Sequence, residues 1–127
     1  MTENEIGTMI VKAAIEVHRE LGSGLLESVY EAALAHELTC AGLVIKAQVP
    51  MPVSYKDIHF DIGFRMDLWV NEKVVIELKS VERITPAHRK QLQTYLRLSN
   101  SRLGYLLNFG SALMKEGIVR AVNGLPE

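Results

Sequence analysis

Asp67, Glu77 and Lys79 are the residues of this chain whose types and spacing point most directly to chemistry. They lie in two runs that alternate apolar and polar positions. Phe60, Ile62, Phe64, Met66, Leu68 and Val70 interleave with Asp61, Gly63, Arg65, Asp67 and Trp69, and Val74, Ile76 and Leu78 interleave with Val75, Glu77 and Lys79. A period of two is the strand signature, and Asn71-Glu72-Lys73 is the polar break between two hairpin strands. A three-residue loop pairs Val70 with Val74, which sets Asp67 opposite Glu77 and Arg65 opposite Lys79, all four on one face. Opposed Cβ atoms are only ~4.5–5.5 Å apart, and like charges so placed destabilise a hairpin. A divalent cation between the two carboxylates removes the repulsion, because hard cations take oxygen ligands. An ammonium on the same face, at Lys79, could orient a water or offset charge developing on a phosphoryl group. Two alternatives stay open: an exposed hairpin in which Lys79 pairs with Glu77, and a two-residue loop that throws the carboxylates onto opposite faces.

Gln91 and Tyr95 are four residues apart and share one helix face, with His88 one turn earlier and Leu92 and Leu96 as the adjacent packing stripe. Such a polar row on the buried side of a helix is unusual for packing alone. Individually, Tyr95 also reads as a half-buried aromatic, Gln91 as a cap on a sheet carbonyl and His88 as a first-turn surface group. Glu27 is a carboxylate beside a glycine loop at a helix start, where interaction with the helix N-terminus is the plain explanation.

Charge is distributed unevenly. The net charge is −1, yet Lys79–Arg102 holds six basic residues, Arg83, Arg89 and Lys90 among them, against one acid, Glu82. An electropositive strip of this kind suits a phosphate backbone, and equally a solvated helix face.

The elements that must position these residues follow from periodicity. Ile6, Met9, Ile10, Ala13, Ala14, Val17 and Leu21 predict an amphipathic helix over 3–21, ended by Gly22. A second helix over roughly 26–41 buries Leu26, Val29, Tyr30, Ala33, Leu34, Leu38 and Ala41. Ser28 and Glu31 have capping-box spacing and leave its start open. Residues 43–55 are extended, with Pro50 and Pro52 confining the second half to an edge. Thr85-Pro86 opens a helix to about Ser99, Leu103–Phe109 is a buried strand, and 117–122 adds a short edge strand. Helix, helix, three strands, helix, strand is the order of an α/β fold with a mixed central sheet flanked by helices. At 127 residues this is one domain, spanning 1–127. One cysteine, Cys40, excludes an internal disulfide and suits a reducing compartment. The acidic N-terminus and the lack of a long apolar run argue against a secretory signal or membrane span, so the cytoplasm is the expected location.

Gly24-Leu25-Leu26-Glu27-Ser28-Val29-Tyr30 resembles in full the G-x-x-E-x-x-Y signature of a family of small bacterial and archaeal proteins. The likeness continues through Arg65–Leu68, Glu77-Leu78-Lys79, His88–Tyr95 and Leu103–Gly110. That family is similar to the PD-(D/E)XK nucleases (the restriction-endonuclease-like fold), whose core is a helix, a three-stranded meander, a helix and a further strand, with residues 3–21 here as an N-terminal addition. The resemblance implies that Asp67 is the aspartate of the pattern, Glu77 and Lys79 its E-x-K pair, and Glu27 the carboxylate a core helix adds to the metal site. Gln91 and Tyr95 look like the Q-x-x-x-Y motif that lines the site near the scissile phosphate in the lambda-exonuclease-like branch. Arg65 departs from many members by adding a cation two residues before the aspartate.

The expectation is therefore a nuclease hydrolysing phosphodiester bonds, of DNA before RNA. Glu27, Asp67 and Glu77 would hold Mg²⁺ (Mn²⁺ as substitute), with Lys79, Gln91 and Tyr95 catalytic and Arg83, Arg89 and Lys90 on the nucleic acid. A homo-oligomer could enclose a duplex. The alternative is a catalytically silent nuclease-fold subunit that binds nucleic acid or a partner.

Overall fold

The computed structural model describes residues 1–126, with the side chains of Asp61 and Ile62 excepted; the alternation expected at those two positions lies outside the described residues. Helix α1 (Glu3–Leu21) and helix α2 (Glu27–Cys40) precede a meander of β1 (Ile45–Tyr55), β2 (Ile58–Val70) and β3 (Val74–Lys79). Helix α3 (Pro86–Ser99) then leads to β4 (Leu103–Asn108) and, after a single 3₁₀ turn at Met114–Glu116, to β5 (Ile118–Val122). The five strands lie in sequence order, antiparallel except for the β3–β4 pair. That parallel pair requires a crossover, which α3 supplies. The expected α/β architecture with a mixed sheet and an added N-terminal helix is what the chain forms.

Alternation along β3 and β4 sorts the core into two layers. Val74, Ile76, Leu78, Leu103, Tyr105 and Leu107 pack under α1 and α2, while Val75 and Leu106 pack under Leu92, Tyr95 and Leu96 of α3. Both faces of the central strands are thus covered, which is why β3 and β4 read as nearly continuous apolar runs. Gly104 lets α3 lie close: a Cβ there would stand 2.8 Å from Leu96 Cδ2. Pro50 and Pro52 sit on β1, an edge strand, where a missing N–H costs no ladder bond.

Three expectations need correction. Helix α2 begins with Leu26 as its N-cap and no side-chain cap, so Ser28 and Glu31 form no capping box. Leu26, Val29 and Ala41, expected on the buried side, are exposed, because α2 meets the sheet through Tyr30, Leu34 and Leu38. Phe60 and Phe64, apolar positions of the expected alternation, are each 37% exposed. The cause is length: β1 and β2 pair along an arm that continues past the end of the β2–β3 ladder, where the third strand no longer covers it and α3 reaches it through the edge contact of Tyr95 with Phe64.

Candidate active site

The β2–β3 ladder pairs Val70 with Val74, Trp69 with Val75 and Leu68 with Ile76, the register of a three-residue turn. Asn71 and Glu72 make that turn with left-handed φ of 51° each. Past Leu68 the β2–β3 backbone pairing stops and side chains take over the backbone groups. The Asp67 N–H donates to Glu77 Oε1 at 3.1 Å, and the Leu78 N–H donates to Asp67 Oδ2 at 2.8 Å. Two carboxylates are therefore brought together at a fork, where β2 continues with β1 and β3 with β4. Glu77 is only 3% exposed. Burial first, and then the neighbouring Asp67 charge, pushes its carboxyl up to about 9, with Lys79 pulling the other way.

Lys79 ends β3 half-buried, and none of the ion pairs among the described residues includes it. The exposed-hairpin alternative fails on Glu77, which is buried rather than paired at the surface. The chain leaving Lys79 is held firmly. The Phe109 N–H donates to Lys79 O at 2.8 Å, and Ser80 Oγ donates to Leu25 O at 2.9 Å. Buried Asn108 grips Val81 on both sides, accepting from its N–H and donating to its carbonyl, each at 3.0 Å. Sequence reading placed Asn108 only within a buried strand; a lone amide in an apolar run is the signal that marks it.

Helix α3 adds the phenol. Tyr95 is 3% exposed, with Phe64 edge-on to its ring at 5.5 Å. Its hydroxyl accepts from Gln91 Nε2 at 3.4 Å. Burial, then the charges of Glu77 and Asp67, pushes the phenol up to about 12. Tyr95 and Gln91 are thus together and within the field of the acid pair. His88 belongs elsewhere: its Nδ1 accepts from the Thr85 N–H at 3.0 Å while its own N–H donates to Thr85 Oγ1 at 3.3 Å, a capping box that starts α3.

Helix α2 contributes through its first two turns. Tyr30 stacks on Phe109 at 4.4 Å, donates to Gly22 O at 2.6 Å and accepts from the Leu25 N–H at 3.1 Å. The tyrosine of the signature therefore clasps the glycine loop, where Gly24 has φ +101°. Glu27 stands exposed at the first position of the helix, two residues beyond Leu25, the residue Ser80 holds. The structure does not place Glu27 in contact with Asp67 or Glu77. Glu31, one turn later, is the α2 carboxylate linked to them: Gln48 Nε2 donates to Glu31 Oε1 at 2.6 Å and to Asp67 Oδ1 at 3.4 Å. Burial raises the Glu31 carboxyl, as does Asp67, while the bond from Gln48 lowers it. Neither Gln48 nor Glu31 was singled out from sequence as a site residue.

Arg83, Arg89 and Lys90 are exposed, the latter two beside Gln93, Thr94 and Arg97 in a shallow depression on α3. A cavity lies instead along α1 and the end of α2, lined by Met9, Val11 and Ile15, and includes none of the acidic fork. Among the described residues, no three His, Cys, Asp or Glu side chains cluster tightly enough to hold a metal ion. The donor chemistry of the fork nevertheless fits a hard cation. Asp67 and Glu77 carry carboxylate oxygens on facing strands, and one is buried beside the charge of the other.

An α/β domain with a three-stranded meander, a crossover helix and a fourth strand, carrying paired carboxylates and a lysine at the meander's fork, defines a nuclease-like core. The chain matches the model of the PD-(D/E)XK nuclease superfamily over residues 4–121 and belongs to that superfamily. No curated protein and no solved structure matches it. Among the described residues no helix is long and apolar enough to cross a membrane.

Proposed function

We propose that this chain is a metal-dependent nuclease of the G-x-x-E-x-x-Y type, hydrolysing phosphodiester bonds of DNA in the cytoplasm. The observation that carries the reading is the cross-strand pair Asp67–Glu77, with Glu77 buried at a position where stability alone would favour an apolar residue. Asp67 and Glu77 would hold Mg²⁺ or Mn²⁺, with the Leu78 carbonyl and, at the mouth of the loop that Ser80 ties down, Glu27 as further oxygen donors. Bound there, the ion would supply Lewis-acid polarisation of the phosphate and a more acidic water.

The chain's own residues do the rest. Lys79, fixed in place by the Asn108 clamp beyond it, orients the attacking water and offsets charge gathering on the phosphoryl oxygens. Tyr95, held as an acceptor by Gln91, keeps its O–H as a donor to a phosphate oxygen. Arg83, Arg89 and Lys90 take the flanking backbone electrostatically, and a second copy of the chain would extend that surface around a duplex.

The test is cleavage of linear, nicked and single-stranded DNA, with RNA of matching sequence, by wild type and Lys79→Ala in Mg²⁺, Mn²⁺ or chelator. Metal-dependent cleavage lost in Lys79→Ala is the expected result. Cleavage that survives the substitution, or none on any substrate, sinks the reading. Chelator-insensitive binding without cleavage identifies the silent subunit instead.

A further inference from the structure

Gln48 has a backbone that nothing local requires. Its φ is +52°, in the left-handed region that side-chain-bearing residues rarely occupy. The other non-glycine residues of this kind among the described residues have ordinary reasons. Lys56, Asn71 and Glu72 sit in hairpin turns, and Asn100 caps the C-terminus of α3. Gln48 alone lies inside a strand, between the pairs Ala47–Leu68 and Val49–Met66, where register sets it against Asp67. Backbone strain retained inside a strand marks a position that the surrounding structure over-determines, and such positions gather at functional sites.

The amide that this backbone carries reaches two carboxylates on different elements, Glu31 of α2 at 2.6 Å and Asp67 of β2 at 3.4 Å. The Gln48 carbonyl in turn accepts from Arg65 Nη1 at 3.5 Å. An amide suits this bridge better than the alternatives. It offers two N–H donors to two carboxylates and brings no charge of its own. A carboxylate at position 48 would repel both, and an ammonium would compete with any cation at Asp67.

We infer that Gln48 is a positioning residue of the acidic fork, aimed by its left-handed backbone to tie Glu31 to Asp67 and so fix the orientation of the Asp67 carboxylate. The role rests on the nuclease reading given above. Asp67 meets donors on both oxygens, Leu78 N–H on one and Gln48 on the other, which leaves one orientation for its remaining lone pairs. Second-neighbour hydrogen bonds of this type set how well a carboxylate binds metal, and their loss typically costs 10–100-fold in affinity.

The experiment is a double-substitution cycle on the full chain, with Gln48→Leu, Glu31→Gln and the double variant compared by calorimetric titration with Mn²⁺ and by steady-state cleavage. Each single change is expected to weaken Mn²⁺ at least tenfold, with KM for DNA unchanged. The double variant should be no worse than the weaker single, because both break one bridge. Wild-type affinity in Gln48→Leu, or effects that simply multiply, overturns the inference. A second measurement needs neither metal nor activity, nor a folded Gln48→Leu. The side-chain NH₂ resonances of Gln48 in metal-free protein should move on both Glu31→Gln and Asp67→Asn; signals indifferent to either overturn the bridge. Wild type that binds no Mn²⁺ and cuts nothing overturns the nuclease reading, and the amide resonances still decide for or against the bridge.

Discussion

Asp67 and Glu77 each close the other's strand: the Asp67 N–H donates to the Glu77 carboxylate and the Asp67 carboxylate accepts from the N–H of Leu78, the residue after Glu77. The ladder between β2 and β3 thus ends in side chains that stand in for backbone carbonyls. Both strands can part there without leaving these amides unbonded, and the carboxylates that allow it are the ones that would bind a cation. Structural and chemical roles fall on the same pair.

The first prediction concerns Glu77 and pH. Its folded carboxyl is raised to about 9 from the ordinary 4.5, so the folded state favours the protonated form. The stability this contributes is fully present below the unfolded value and is lost as pH rises toward 9. Metal-free Glu77→Gln should therefore match the wild-type stability near pH 4 and exceed it at pH 8–9, by about 2–4 kcal/mol at the upper end. Thermal melts in chelator across pH 4–9.5 decide it. A wild type that gains stability relative to Glu77→Gln as pH rises would refute the assignment. Added Mn²⁺ should raise the wild-type melting temperature and leave that of Glu77→Gln nearly unmoved.

The hairpin register is readable because two signals agree, period-two apolar positions and a polar three-residue break, and the structure decides for the three-residue turn. What escaped the sequence is physically of another kind. Glu27 and Glu31 lie one turn apart on α2, and spacing alone favours neither; the choice depends on where β1 passes. Glu31 also sits three residues after Ser28, which mimics a capping box that the Leu26 start of the helix rules out. Gln48 is an unremarkable polar residue in an edge strand until its φ is known. Asn108 hides in an apolar run because its main partner, Val81, lies 27 residues earlier in the chain. Local pattern encodes elements and pairing, whereas side chains whose work is long-range bridging leave no periodic trace.

Asn108→Ala is the second prediction. It strands the Val81 N–H and C=O and removes an acceptor from the Gly110 N–H. Unmet buried backbone groups cost about 1–3 kcal/mol, so a loss of roughly 2–3 kcal/mol in chemical denaturation is expected. Because Val81 lies two residues beyond Lys79, the folded variant should also cleave more slowly at unchanged Mn²⁺ affinity. Unaltered stability would contradict the clamp.

Tyr95→Phe is the third. The ring keeps its edge contact with Phe64 and its burial, so stability should change by about 1 kcal/mol at most. If the hydroxyl donates to the phosphate, kcat falls at least tenfold with little change in KM. With the phenol pushed up to about 12, it stays protonated across the working range, and the rate should show no alkaline limb from Tyr95. Wild-type kcat in Tyr95→Phe removes the residue from the catalytic set.

The basic face of α3 yields the fourth prediction. Arg89 and Lys90 are exposed and lie in no ion pair among the described residues, so their charge is available to a partner. Phosphate contacts made by such side chains release condensed counterions, and each contributes about 0.9 to the slope of log affinity against log salt on duplex DNA. Arg89→Ala/Lys90→Ala should therefore lower that slope by about 2 and weaken binding similarly for unrelated sequences, since phosphate contacts carry no base information. The measurement is fluorescence anisotropy with a labelled duplex from 50 to 300 mM salt, in Ca²⁺ or with Lys79→Ala so that cleavage does not intervene. A slope that matches wild type assigns these residues to a solvated helix face, and the β1–β2 arm bearing Lys56, His59 and Arg65, which touches Tyr95 through Phe64, is then the surface to substitute next.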